Sequence, residues 1–214
     1  MTVVVAAGVL CACGGSSGAA QSSAETQQAE TEKAETEKAE QPAAGSGSAV
    51  GSGPVAVISI KDHGKITVQL DEENAPLTTA NFVKLAGEGF YDGLTFHRII
   101  EGFMMQGGDP NGNGTGGSSE TIKGEFASNG VDNPLSHTRG AISMARAADP
   151  DSASSQFFIV HKDSTFLDGD YAVFGYVTEG MDIVDQICEE AQPVDGNGSI
   201  APEAQPVIES ITIQ

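Results

Sequence analysis

Between Phe96 and Asp109 the chain reads FHRIIEGFMMQGGD. This span concentrates one guanidinium (Arg98), two large apolar side chains (Phe103 and Met104) and one neutral amide (Gln106). It shows neither a nucleophile beside a base nor a pair of carboxylates, the groups on which covalent and hydrolytic catalysis rely. What it offers is an apolar seat next to a permanent cation.

That pairing suits a reaction in which no covalent bond is made or broken, rotation about an X-Pro amide. The C–N bond has partial double-bond character, which sets a barrier of about 18–20 kcal/mol. Twisting it localises a lone pair on the prolyl nitrogen. A donor fixed where that lone pair appears binds the twisted state better than either planar one, and differential binding of this kind lowers a barrier. Arg98 is the candidate donor, because arginine stays protonated and presents a rigid fork of N–H groups. Phe103 and Met104 would hold the ring and exclude water.

The elements that must position these groups follow from the pattern. Phe96 to Ile99 alternates apolar and polar, Glu101-Gly102 makes a turn, and Phe103 to Gly107 alternates again, so two strands are expected to meet with Arg98, Phe103 and Gln106 sharing a face or its rim. VAVISI at 55–60 and KITVQL at 65–70 read as a hairpin across Lys61-Asp62-His63-Gly64. Further strands are expected at 141–144, 156–160, 172–176 and 207–213. Helices are expected over 78–89, ended by Gly87 and Gly89, and over 181–190, with Ile183, Val184 and Ile187 as an apolar stripe. Many short strands with two helices suggest a closed barrel, helices covering its ends.

Other chemistry-bearing motifs have plainer readings. Gly112-Asn113-Gly114-Thr115-Gly116-Gly117 satisfies G-x-G-x-x-G in form, but SSETIKGEF after it reads as loop then strand rather than helix, which argues against a phosphate site. His63, His97, His137 and His161 show no metal-ligand spacing, Cys11, Cys13 and Cys188 make no C-x-x-C set, and neither a metal nor a cofactor is expected. His97 points to the strand face opposite Arg98 and reads as structural, and Cys188 as a small buried hydrophobe. In SSQFFIV, Gln156 and Phe158 fall on one face and Phe157 on the other, where it packs in the core.

Five ordered stretches carry a family resemblance: FHRIIEGFMMQGGD, GNGTGG at 112–117, SMAR at 143–146, SQFFIV at 155–160 and FLDGDYAVFG at 166–175. Over about Pro54 to Gln214 the chain resembles the cyclophilins, and most of all their single-domain bacterial members. The resemblance implies a mainly β fold, a closed eight-stranded antiparallel barrel capped by two α-helices, and peptidyl-prolyl cis-trans isomerase activity on proline-containing polypeptides. It implies catalytic roles for Arg98, Phe103 and Gln106. It also implies a substrate groove made by Met104, by Ala145, Arg146 and Ala147 acting through their backbone, and by Gln156, Phe158, Phe166, Leu167 and Tyr171. The 112–117 loop is expected to flank that groove. Phe166 stands where the best-known eukaryotic members have Trp, Tyr171 where they have His, and Arg146 where they have Asn. The loss of an indole N–H bears on cyclosporin binding, and isomerisation is expected to survive all three changes. A proline-peptide-binding chaperone module without catalysis is the alternative for the same groove, and a purely structural surface protein is a second.

The remaining 53 residues have a different character. LCAC at 10–13 resembles the lipobox of bacterial lipoproteins, with Leu10 at −3, Ala12 at −1 and Cys13 as the lipidated residue, although no Lys or Arg precedes Lys33. Residues 14–53 are Gly/Ser/Ala/Glu-rich and contain the repeat AETEKAETEK at 29–38, which reads as a solvated tether of roughly 35 Å root-mean-square span. The expected organisation is therefore a signal segment at 1–13, a disordered tether at 14–53 and an isomerase domain at 54–214. The protein is expected to be a monomer held outside the bacterial cell membrane by its lipid. A formal net charge of −20, with 24 acidic and 8 basic residues from Val55 onward, argues against nucleic acid as a partner.

Overall fold

A computed structural model describes residues 53–214. The signal segment, the lipidation site Cys13 and all of the tether except Gly53 lie outside the described residues. Eight strands, β1 (Val55–Ile60), β2 (Gly64–Leu70), β3 (Phe96–Ile100), β4 (Met104–Gly107), β5 (Ala141–Met144), β6 (Phe157–Val160), β7 (Val173–Glu179) and β8 (Ile208–Ile213), form one sheet. Two α-helices, α1 (Pro76–Gly87) and α2 (Met181–Glu190), flank it.

The β1–β2 hairpin turns where the sequence places it. Asp62 and Gly64 take φ of 63° and 128°, the second a value that glycine tolerates and other residues rarely adopt. Alternation then buries Ala56, Ile58 and Ile60 against Ile66, Val68 and Leu70. Helix α1 begins earlier than expected, at Pro76, because proline at the first helical position loses nothing by lacking an N–H. No local side chain caps it. Its free N–H groups at Leu77 and Thr78 donate instead to the buried Glu125 carboxylate at 3.0 and 2.7 Å, with the Thr78 hydroxyl adding a third bond at 2.7 Å. An anion at a helix N-terminus also meets the favourable end of the helix dipole.

All strand pairings are antiparallel, in the order β3-β4-β6-β5-β7-β2-β1-β8. The closed barrel expected from the sequence is not what forms: the ladder ends at β3 and β8, leaving a curled half-barrel. Between these edges there is a single isolated bridge, Thr95 with Val207, and three backbone hydrogen bonds linking 93–96 to 206–208. Pro206 brings no N–H to this seam, so a regular ladder cannot continue there. The edge of β3 is covered by segment 198–200: Ile99 N–H donates to Gly198 O at 2.8 Å and Ile200 N–H to His97 O at 2.9 Å. The strand expected within SSETIKGEF is reduced to one bridge, Ile122 with Ala153, because Gly124 N–H turns instead to the Asp151 carboxylate at 3.0 Å.

The two faces of the sheet build two apolar clusters, and β6 shows the division residue by residue. Phe157 and Ile159 enter the larger core, while Phe158 and Val160 enter a smaller one with Met104, Ala141 and Val173. In the larger core Phe82 of α1 lies 5.2 Å from Tyr91, 5.4 Å from Phe157 and 5.2 Å from Phe174, centroid to centroid. Burying each such ring contributes roughly 1.5–3 kcal/mol. Cys188 is buried on α2, and burial pushes its thiol up to about 12. The smaller cluster, on the other face, is the floor on which the candidate site stands.

Candidate functional site

Strand register brings the site together. Arg98 on β3 lies directly opposite Gln106 on β4, Gln106 opposite Phe158 on β6, and Phe158 opposite Ser143 on β5. These residues form one row across four strands, so their side chains share a face. Above the row opens a cavity of about 190 Å³ lined by Arg98, Phe103, Met104, Gln106, Ala145, Arg146, Phe158, Leu167 and Tyr171.

The guanidinium of Arg98 is aimed by three contacts. Its Nε donates to the Asn197 carbonyl at 2.7 Å, Nη1 donates to Gln106 Oε1 at 3.3 Å, and Nη1 lies 3.9 Å from Met104 Sδ. The Phe103 ring is 6.0 Å away, within reach of a cation–π attraction. Partial burial lowers the pKa of Arg98 from the ordinary arginine range, yet the group remains a cation in any working buffer. No ion pair to a carboxylate neutralises it among the described residues. Gln106 passes the chain of hydrogen bonds on: its Nε2 donates to Gln156 Oε1 at 2.9 Å, and Gln156 Nε2 donates to Gly116 O at 2.7 Å. The result is a polarised donor beside an apolar floor, an arrangement able to bind a developing lone pair on an otherwise apolar ring.

The other expected groove residues fall into place around this centre, with one exception. Gln156 and Ala147 line an adjoining cavity of about 350 Å³ together with Gly114 to Ser118, so the 112–117 loop flanks the groove and no helix follows it. That loop is built on Asp109, whose carboxylate accepts N–H bonds from Asn111 at 2.8 Å, Asn113 at 3.1 Å and Gly114 at 2.6 Å. Burial raises the Asp109 pKa, and these backbone bonds outweigh it and leave the pKa lower than usual. Phe166 is the exception. It lines neither cavity, is 73% exposed, and stands outside Phe103 with ring centroids 5.6 Å apart, because the short turn Thr165–Leu167 sends Leu167 inward and Phe166 out.

Two features are not legible in the motifs. Asn197 aims Arg98 from nearly a hundred residues away, held by a turn in which Asp195 accepts from Asn197 N at 2.9 Å, Ser199 N at 3.0 Å and Ser199 Oγ at 2.8 Å. The signal for that turn, Asp-Gly-Asn-Gly-Ser at 195–199, is present in the sequence, but nothing local ties it to Arg98. The second feature is a hydrogen-bonded Asp168–His137–Ser143 chain, with Nδ1 to Asp168 Oδ1 at 2.8 Å and Nε2 to Ser143 Oγ at 3.0 Å. The order matches a hydrolase relay, yet Ser143 and His137 are fully buried and no substrate carbonyl can reach the hydroxyl. The chain supports the floor instead: the His137 ring stacks on Phe158 at 5.9 Å. Burial lowers the pKa of His137, and a neutral ring with its proton on Nδ1 satisfies both neighbours. Burial raises the pKa of Asp168, but bonds from Ser136 and from the backbone and ring of His137 bring it below its ordinary value. His97 sits on the opposite side of β3 from Arg98, buried, with neither ring nitrogen hydrogen-bonded to a described residue.

Comparison with known proteins agrees with this geometry. The family model described as "Cyclophilin type peptidyl-prolyl cis-trans isomerase/CLD" matches residues 55–213. The chain is 54% identical over 123 residues to peptidyl-prolyl cis-trans isomerase B of Bacillus subtilis, covering 58% of this chain and 82% of that protein. It is 49% identical over 126 residues to a peptidyl-prolyl cis-trans isomerase of Helicobacter pylori, covering 58% and 74%. Among solved structures, a Cryptosporidium parvum cyclophilin-type isomerase, crystallised in the presence of the dipeptide Ala-Pro, superposes with a TM-score of 0.66 at 30% identity, covering 75% of this chain and 98% of that one. With the family match spanning the whole described sheet and both helices, the chain belongs to the cyclophilin-type peptidyl-prolyl cis-trans isomerases.

Proposed function

We propose that this domain accelerates rotation of X-Pro bonds in extracytoplasmic polypeptides, with Arg98 donating to the prolyl nitrogen as the amide twists. The observation that carries the reading is the guanidinium fixed by Asn197 O and Gln106 at the wall of an apolar-floored cavity of about 190 Å³. Phe103, Met104, Phe158 and Leu167 hold the pyrrolidine ring. Gln106 and the backbone of 145–147 grip the peptide main chain. The Ala-Pro dipeptide in whose presence the Cryptosporidium relative was crystallised supports a proline-containing ligand for this chain. No group in this scheme transfers electrons or bonds, so the reaction proceeds by differential binding alone. The test is the cis-to-trans relaxation of an Ala-Pro peptide with the full chain. Acceleration is expected, whereas peptide binding without acceleration would move the reading to a non-catalytic chaperone module.

The same proposal places the domain on a lipid anchor at Cys13 at the outer side of a bacterial cell membrane, acting as a monomer. The lipobox-like LCAC and the 14–53 composition support this. Expressed from its own precursor, the wild-type protein is expected in the membrane fraction and Cys13→Ala in the soluble fraction. Equal recovery of both in the soluble fraction would refute the anchor.

A further inference from the structure

The proline cavity and the larger cavity beside it share a wall made of Gln106, Ala145 and Arg146. Arg146 is held there more firmly than a half-exposed arginine ordinarily is. Its guanidinium lies between two rings, 5.1 Å from the centroid of Phe126 and 4.7 Å from that of Tyr171. Its Nε donates to Asp170 O at 3.0 Å and Nη1 to Ala147 O at 2.9 Å. Nη2 makes no hydrogen bond among the described residues, and no carboxylate pairs with the group. Arg139 shows the contrast, since both its terminal nitrogens are closed on the Asp185 carboxylate at 2.7 Å.

A guanidinium already fixed in place, with a donor edge unmatched, is preorganised for a carboxylate, because little side-chain freedom remains to be lost on binding. The neighbouring cavity is otherwise lined by glycines, alanines, small hydroxyls and amides, with no acidic side chain among the described residues that line it. In an extended peptide the side chains at i and i+2 project to the same side, roughly 7 Å apart. A residue two positions from the proline therefore reaches this cavity when the proline occupies the first.

We propose that Arg146 makes this groove selective for X-Pro segments that carry Asp or Glu two residues from the proline, with the carboxylate seated beside Arg146 in the second cavity. The inference rests on the isomerase reading above. It also runs against the acidic balance of the domain, which repels anionic peptides at long range. That repulsion is screened over about 8 Å at physiological salt, whereas a contact pair in a cavity is screened much less.

The experiment measures kcat/KM of the full chain on Ala-Pro peptides that differ only at the position two before or two after the proline, with Glu, Gln or Lys there, at 0.15 M salt (a condition at which the screening length is about 8 Å). The wild type is expected to favour Glu over Gln by roughly five- to tenfold at one of the two positions, in line with a well-formed charge-assisted pair. Arg146→Gln is expected to bring that ratio close to one and Arg146→Lys to keep part of it. The ratio within each variant is the readout, so a general loss of turnover does not affect it. A wild-type ratio near or below one at both positions, a preference for Lys alone, or a Glu preference that survives Arg146→Gln would overturn the proposal. Failure of the Gln peptide to be turned over at all would remove the isomerase reading, and this inference with it.

Discussion

Arg98→Ala and Arg98→Lys together test whether the guanidinium acts as a directed donor. The planar amide nitrogen is not an acceptor, so a bond from Arg98 to it exists only once the bond has twisted, and the whole of its strength lowers the barrier. By comparison with oxyanion-hole donors, removing it costs about 2.7–4 kcal/mol. That corresponds to a fall in kcat/KM of about 10²–10³-fold for Arg98→Ala. Lysine keeps the charge but has a single nitrogen on a flexible stem. It cannot hold the Asn197 carbonyl and Gln106 Oε1, now at 2.7 and 3.3 Å, while also meeting the substrate. A loss of roughly tenfold or more is expected for Arg98→Lys, since a charge-assisted bond of about 1.5–3 kcal/mol is made with poorer geometry. The assay is the cis-to-trans relaxation of an Ala-Pro peptide near 10 °C, where the uncatalysed process takes minutes. Affinity for a proline peptide is measured in parallel. The mechanism predicts that affinity largely persists in Arg98→Ala while turnover collapses. Turnover of Arg98→Ala within threefold of wild type, in a protein with unchanged circular dichroism, would refute it.

Gln106→Leu breaks both bonds of the relay, and with them one of the contacts that aim the Arg98 guanidinium, so kcat/KM is expected to fall about tenfold, in line with the roughly 1.5 kcal/mol of a hydrogen bond to a charged group; unchanged turnover would remove the relay from the mechanism. Gly108 has φ of 79°, and an added Cβ would lie 2.7 Å from Ser155 O and 3.1 Å from Phe157 and Tyr91. Combining left-handed backbone strain with overpacking, Gly108→Ala is expected to cost about 2–5 kcal/mol, read as a fall in Tm of roughly 5–15 °C in thermal denaturation. Burial lowers the pKa of His97 and His137 from the ordinary 6.5, so the unfolded chain takes up protons first as the solution is acidified. Their contribution is fully present above the unfolded value and is lost as pH falls from about 6.5 toward the lower folded values, so urea midpoints are expected to drop across that window. His137→Asn is expected to flatten part of the slope, and an unchanged slope would mean that the ring is not held neutral.

Much of the domain follows from local pattern. The hairpin at 55–70, α2 at 181–190 and β5 at 141–144 stand where alternation, turn residues and caps place them, because each is specified by residues within a few positions of itself. Helix α1 starts at Pro76 rather than Thr78, since the anion that satisfies its first N–H groups, Glu125, comes from 47 residues downstream of Thr78 and has no local signature. The barrel's failure to close is a matter of the same kind, decided where Pro206 meets the start of β3. The motif puts both Phe166 and Leu167 at the pocket edge, and a one-residue choice of direction in the Thr165–Leu167 turn gives the lining position to Leu167 and leaves Phe166 exposed against the outer side of Phe103.

By itself the sequence determines the kinds of group available: a permanent cation, an apolar seat and a neutral amide within nine residues, and no nucleophile poised among them. It also determines which strand face each occupies, because alternation has a period of two. Only the tertiary structure decides that Arg98, Gln106, Phe158 and Ser143 lie in one row, since strand order and register are set by pairings between distant segments. It alone brings the Asn197 carbonyl to the Arg98 Nε, and places Asp168, His137 and Ser143 in line beneath the floor while burying the serine beyond any substrate's reach. A spacing in sequence fixes chemistry only over the few residues that one strand or one turn can span, and a site of this kind is assembled from segments a hundred residues apart.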